Sequence, residues 1–340
     1  MISELSFFSE LNEIYACAQS LDGIGTCQEE GVVDYQGKRF PILSFSFGLQ
    51  DPSAPKLVLI GGIHGLEKVG THVVTAYLRS FIRLVKWDPS LQALLRSSTL
   101  IVIPLANPVG MYRRTRSNGN GVDLMRNSGV NAAGNPLPLV GGQSISSKLP
   151  WYRGTNTPEP ETQILKQFFI DNILPSNFTV LLDIHSGFGL LDRLWFPYAY
   201  SKEVFPEAYR VVALMELLNH CFPDHIYKIE PQSRTYITHG DLWDYFYLEF
   251  ENKKRRSEQV FIPLCLEMGS WHWIRKNPKQ VLSPLGIFNP ILPHRLKRIQ
   301  RRHLTLIDFL LKAINCDEEW AKPPPGQKKY LEKKARERWY

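Results

Sequence analysis

Apolar positions along the chain recur at two periods, and the switches between them mark out its elements. Leu5, Phe8, Leu11, Tyr15 and Ala18 fall at helical spacing and predict a helix over residues 5–20. Residues 32–35 and 40–47 alternate around a Gln36-Gly37 turn and predict a β-hairpin. A continuous apolar run at 57–61 reads as a buried strand, followed by a helix over 70–85 and a strand over 99–105. Residues 109–157 are rich in Gly, Asn, Ser and Pro with little periodicity, and so long a loop within one domain is usually functional. Helices are predicted over 159–174, 207–221, 240–251 and 294–314, and buried strands over 178–184 and 260–266. Strands alternating with helices predict an α/β fold: one mixed, twisted sheet flanked by helices on both faces. That domain is expected to span residues 1–322. Pro323-Pro324-Pro325-Gly326 should then break the chain before a basic tail over 323–340.

Composition narrows the class. With 340 residues and 44% hydrophobic side chains the chain can bury a full core. The net charge of +7 gathers in runs such as Lys253-Lys254-Arg255-Arg256 and Lys333-Lys334-Ala335-Arg336. These read as solvated surface, since no aromatic platform or recognition motif accompanies them, and a nucleic-acid partner is not expected. Five scattered cysteines, without paired spacing, argue against a disulfide framework or a cysteine zinc site. Neither a signal-like start nor a membrane-length apolar run is visible, so a cytoplasmic protein without a membrane partner is expected.

The candidate chemistry sits where predicted strands end. After the run at 57–61 come two glycines and then His64 and Glu67, three residues apart. The strand over 178–184 delivers His185, and the strand over 260–266 delivers Glu267. In α/β sheets, functional groups collect at such strand ends. Two histidines and one carboxylate leave a fourth position for water, which is the ligand set of a catalytic zinc ion. Zinc would make that water acidic, and a nearby carboxylate would accept its proton. Glu267 fits that task, or else an ordinary buried ion pair with an arginine.

These residues resemble the zinc carboxypeptidases of the carboxypeptidase A type, bacterial members included. His64-x-x-Glu67 is similar to the family's first two zinc ligands, His185 in Ile-His-Ser to its third, and Glu267 to its catalytic glutamate. Asn107-Pro108-Val109-Gly110, the run from Thr115 to Asn127 and Glu159-Pro160-Glu161-Thr162 resemble further family motifs, in the family's order. The resemblance implies one zinc ion per chain and metallocarboxypeptidase activity on a peptide, next to a free carboxylate. It implies that Arg116 stabilises the oxyanion, with Arg113 as the alternative, and that Arg126 grips the terminal carboxylate. It also implies that Tyr236 caps the substrate, although a packed aromatic would satisfy the same spacing.

One position departs from the family. Met125 stands where the family has an asparagine beside the carboxylate-binding arginine, and methionine cannot donate that hydrogen bond. Hydrolysis is untouched by the change, but recognition of the substrate carboxylate is altered. An amidohydrolase of N-acyl amino acids, of the succinylglutamate desuccinylase and aspartoacylase kind, is therefore the alternative, along with cleavage of cell-wall peptides.

Overall fold

The computed structural model describes residues 8–155 and 157–340. Among them, eight strands form one sheet: β1 (Thr26–Tyr35), β2 (Lys38–Gly48), β3 (Lys56–Gly61), β4 (Thr99–Ile103), β5 (Phe178–Ser186), β6 (Arg193–Phe196), β7 (Lys228–Pro231) and β8 (Val260–Met268). Their order across the sheet is β1-β2-β4-β3-β5-β8-β6-β7. The central strands β4, β3, β5 and β8 run parallel, and β2 and β6 flank them antiparallel. Every residue of β3, β4 and β5 is buried, which explains runs of apolar residues where a half-exposed strand would alternate.

The helices, in chain order, are α1 (Ser9–Gln19), α2 (Lys68–Leu84), α3 (Pro89–Leu94), α4 (Pro108–Arg113), α5 (Pro160–Phe168), α6 (Ala208–Cys221), α7 (Leu242–Lys253), α8 (Trp271–Lys276), α9 (Pro284–Phe288), α10 (Pro293–Ile314), α11 (Asp317–Trp320) and α12 (Pro325–Trp339). Successive residues of a strand face opposite sides, and β8 shows both sides covered. Leu264 lines a small cavity together with Val211 and Leu214 of α6 and Leu306 and Leu310 of α10. Phe261, on the other face, stacks near Phe250 of α7, with ring centroids 5.6 Å apart. The expected mixed sheet with helices on both faces is the observed fold.

Several elements differ from the sequence reading. Strand β1 begins at Thr26, well before residue 32, and a bulge between Glu29 and Gly31 breaks the alternation that would have marked it. The two four-residue strands β6 and β7 are too short to carry a period. The described residues of the segment 109–157 are mostly irregular, as expected, but contain the end of α4 and a 3-10 turn at Leu124–Arg126. The largest change is at the C-terminus. Residues 323–340, read as a break and a solvated tail, contain α12, which lies along α6. Leu331, Ala335 and Trp339, four residues apart, are buried. The Trp339 indole N–H donates to the Ile229 carbonyl at 3.0 Å, and its ring meets Phe196 of β6 edge-on at 4.7 Å. Three apolar positions amid a charged sequence suffice to dock a helix, and they leave too weak a pattern to predict one.

Candidate active site

Strand β3 ends in a turn that only its glycines permit. Gly62 has φ +68°, and a Cβ there would lie 2.4 Å from Thr71 Oγ1 of α2. The end of β4 buttresses this turn: Asn107 donates through Nδ2 to the Ile63 carbonyl at 3.0 Å and accepts from Gly110 N at 2.8 Å. The Asn107-Pro108 motif thus starts α4 and at the same time holds the turn that presents His64 and Glu67. His185 comes from the last turn of the pleat in β5. Its register partner on β8 is Glu267, so both project from the same face of the sheet.

Three side chains converge there. His64 Nδ1 lies 2.9 Å from Glu67 Oε1, and His185 Nδ1 lies 3.2 Å from Glu67 Oε2 and 3.1 Å from His64 Nδ1. All three residues are buried. The outward nitrogens of both rings meet carboxylates: His64 Nε2 lies 3.0 Å from Asp123 Oδ1, and His185 Nε2 lies 2.5 Å from Asp183 Oδ2. With a metal bound, those partners would hold the proton on each Nε2 and free both Nδ1 atoms to ligate it. Two neutral imidazole nitrogens and a carboxylate, with ligand atoms within 4.8 Å of one another, suit one zinc ion with an open side.

The electrostatics follow from this crowding. Burial alone would raise the Glu67 carboxyl, but the two histidines hold it well below the usual carboxylate range. Asp123 is likewise held far down against its burial, chiefly by Arg116 and His64. Burial and then repulsion from Glu67 push Glu267 up to about 8. Its Oε1 accepts from Phe188 N at 3.0 Å, which fixes the carboxyl at the edge of the site.

A cleft of about 460 Å³ opens over these groups. His64, Glu67, Arg116, Met125, Arg126, His185, Tyr236 and Glu267 all line it, with aromatic walls from Trp151, Phe188, Trp195, Trp271 and Phe288. Arg116 donates to Asp123 Oδ2 at 2.8 Å and to Glu67 Oε1 at 3.0 Å. Arg113 is directed elsewhere. It donates to the carbonyls of Asn118 and Gly119 at 3.2 and 2.9 Å, and its guanidinium carbon lies 5.4 Å from the Tyr35 ring centroid. Arg126 directs one N–H from each guanidinium nitrogen to the carbonyls of Met125 and Val140, at 3.0 to 3.4 Å, which leaves two of its five N–H groups for a ligand. Tyr236 lies between Phe188 and Trp195, with centroids at 5.8 and 5.9 Å, and burial pushes its hydroxyl up to about 12. The chain returning from Tyr236 crosses Arg126 at Gly240, where a Cβ would lie 1.9 Å from the Arg126 carbonyl oxygen.

Comparison with known proteins decides the family. The zinc carboxypeptidase family model matches residues 33–251. The chain belongs to the zinc carboxypeptidase family. Carboxypeptidase A4 of Mus musculus is 27% identical over 182 residues, covering 49% of this chain and 40% of that protein. Carboxypeptidase E of Caenorhabditis elegans is 25% identical over 168 residues, covering 45% of this chain and 35% of that protein. The chain thus spans less than half the length of these curated relatives. The crystal structure of carboxypeptidase A from Helicoverpa armigera shares the fold, with TM-score 0.65 and 19% identity over 92% of this chain and 76% of that one. In this carboxypeptidase-family chain the buried His64–Glu67–His185 set fits a single zinc site. Glu267 lies beyond the matched residues, so its membership of the site rests on the β5–β8 pairing.

Two buried residues of the site were not singled out from the sequence. Asp123 sits within the Gly-Val-Asp-Leu motif, and Asp183 precedes His185 by two, the spacing that puts both on one face of a strand. The second spacing was a usable signal. The aromatic walls were not legible, because they come from five separate segments.

Proposed function

We propose that the protein is a zinc-dependent metallocarboxypeptidase that cleaves an amide bond next to a free carboxylate. The observation carrying this reading is the convergence of His64, Glu67, His185, Glu267, Arg116 and Arg126 on one cleft. When bound, the zinc ion polarises a carbonyl and makes water a nucleophile near neutral pH. Glu267 then accepts a proton from the attacking water and returns it to the departing amine. Arg116, held by Asp123 and Glu67, offers its guanidinium to the oxygen that gains charge in the transition state. Arg126 has no carboxylate partner among the described residues, so its guanidinium is the natural seat for the substrate's terminal carboxylate. Tyr236 closes the same end of the cleft with its hydroxyl kept protonated by burial.

Membership of the family favours a peptide over an N-acyl amino acid as substrate. The test is a mass-spectrometric screen of zinc-loaded protein against N-acyl amino acids and against peptides with free and with amidated C-termini. Release of the last residue from free peptides alone, lost on chelation and restored by zinc, is the expected result. Release of acyl acids from N-acyl amino acids, with peptides untouched, would overturn it.

A further inference from the structure

The outward nitrogens of the two metal-facing histidines are held in different ways. Asp123, which meets His64, is also neutralised by Arg116 at 2.8 Å and accepts from Met125 N at 3.0 Å. Asp183, which meets His185, has no lysine or arginine bonded to it among the described residues. Its Oδ2 instead takes two donors, His185 Nε2 at 2.5 Å and the Trp243 indole N–H at 2.7 Å. Its Oδ1 is buried without a partner, and the residue is fully buried.

When the His185 ring is neutral, the buried Asp183 carboxylate has no paired cation, a cost of several kcal/mol that calls for compensation from elsewhere. The nearest place for positive charge is the far side of the His185 ring, where the metal belongs. Trp243 adds rigidity. It occupies the first turn of α7, whose cap Asp241 accepts from Trp243 N at 3.0 Å, so the indole direction is set by the helix start. Asp183 pairs with Cys265 across β5 and β8, as His185 pairs with Glu267, so the whole arm stands on the catalytic face of the sheet. Trp243 also shares a small pocket with Asp241, Cys265 and Trp195, all of which line the cleft.

We infer that Asp183 and Trp243 act as a positioning pair that aims His185 Nδ1 at the metal, so that the helix start behind the cleft helps set zinc affinity. The indole N–H pins the carboxylate, and the carboxylate pins the imidazole ring and its tautomer. Outer partners of this kind commonly change metal affinity by about 10- to 100-fold when removed. The inference rests on the proposed zinc site, and zinc alone is the probe that tests it.

Asp183→Asn preserves side-chain size while removing the charge, and Trp243→Phe keeps a buried aromatic ring, although a smaller one, while removing the indole donor. Zinc affinity of each variant is measured by competition with a chromophoric chelator, alongside the melting temperature of the metal-free protein. Asp183→Asn should bind zinc about 10- to 100-fold more weakly. Trp243→Phe should show a smaller loss, which disappears in the Asp183→Asn background because the tryptophan acts through the aspartate. Activity at saturating zinc should return towards that of the unmodified protein. Unchanged zinc affinity in both variants would overturn the inference, as would a lower melting temperature with unchanged affinity, which is what a purely structural role produces. If the unmodified protein itself takes up no zinc, the metal-site reading falls and the inference with it. If it binds zinc and the variants match it, only the inference falls.

Discussion

His185 and Glu267 are register partners on the adjacent parallel strands β5 and β8, and they project from the same face of the sheet. A metal ligand and a carboxyl raised by burial are thereby held side by side by backbone hydrogen bonds, with no loop between them. Glu267→Gln keeps the shape and the bond from Phe188 N but cannot take a proton. Turnover should fall by about 10²–10⁴-fold, the usual worth of a general base, while zinc content stays at one ion per chain. Elemental analysis together with kcat separates the two effects. A variant retaining full activity would remove Glu267 from the chemistry.

Arg116 and Arg113 lie close in sequence but face different surroundings, so their variants should part company. Arg116→Ala should cost about 10²–10³ in kcat/KM, the loss typical of one oxyanion donor, while Arg113→Ala stays within a few-fold of the unmodified protein. The pH profile adds a signed expectation. Arg116 lowers the Glu267 carboxyl, so its loss raises that group further. The rising acidic limb of kcat/KM should therefore move to higher pH in Arg116→Ala. A limb that stays in place or moves the other way would contradict the coupling.

Met125 lines the cleft beside Arg126, with its side chain buried. Met125→Asn restores a donor at the position where the family carries one. KM for substrates with a free C-terminal carboxylate should fall, and KM for amidated ones should not change. Equal effects on both would mean that the methionine shapes the pocket and does not govern carboxylate recognition.

Much of this site could be read from the sequence because strands ending in chemistry leave a local mark. The run from Leu57 to Gly61 and the residues just after it place His64 and Glu67 without knowledge of anything distant. The same holds for His185 and for Glu267. What could not be read depends on contacts between segments far apart. Arg113 and Arg116 carry the same local signature, and only the packing of Tyr35 from β1 shows where Arg113 goes. Strands β6 and β7 are stabilised by their neighbours, Glu267 and its strand among them, and carry no period of their own. Helix α12 is formed by docking against α6, which overrides its weak apolar pattern.

A buried histidine away from the cleft makes stability depend on pH. His303 of α10 is 1% exposed; burial lowers its pKa to about 4, opposed by Asp192 and assisted by Arg302. Tyr227 Oη lies 3.0 Å from its Nδ1. An unfolded histidine titrates near 6.5, so between about 6.5 and 4 the unfolded chain binds the extra proton and the folded one does not. The stability contribution is complete above that window and is lost as pH falls through it, by an amount on the order of 3 kcal/mol. Urea midpoints measured from pH 7 to pH 4 should decline, and His303→Gln should flatten the slope. A parallel decline in the variant would assign the acid sensitivity to other groups.

The docked C-terminal helix carries the last expectation. Trp339 buries its indole against Phe196 and bonds the Ile229 carbonyl, so it clamps α12 to both β6 and β7. Trp339→Ala removes a large buried side chain and leaves that carbonyl without its donor, a change that typically costs about 3–5 kcal/mol. Leu331→Ala, on the same helix face, should cost about 2–5 kcal/mol. No cleft-lining residue comes from α12, so zinc binding and kcat of the folded variants should stay near those of the unmodified protein. Urea unfolding followed by fluorescence measures the first effect, and turnover at a temperature well below the melting point measures the second. A solvated tail would show neither loss of stability; a tail that shapes the active site would show loss of kcat without denaturant.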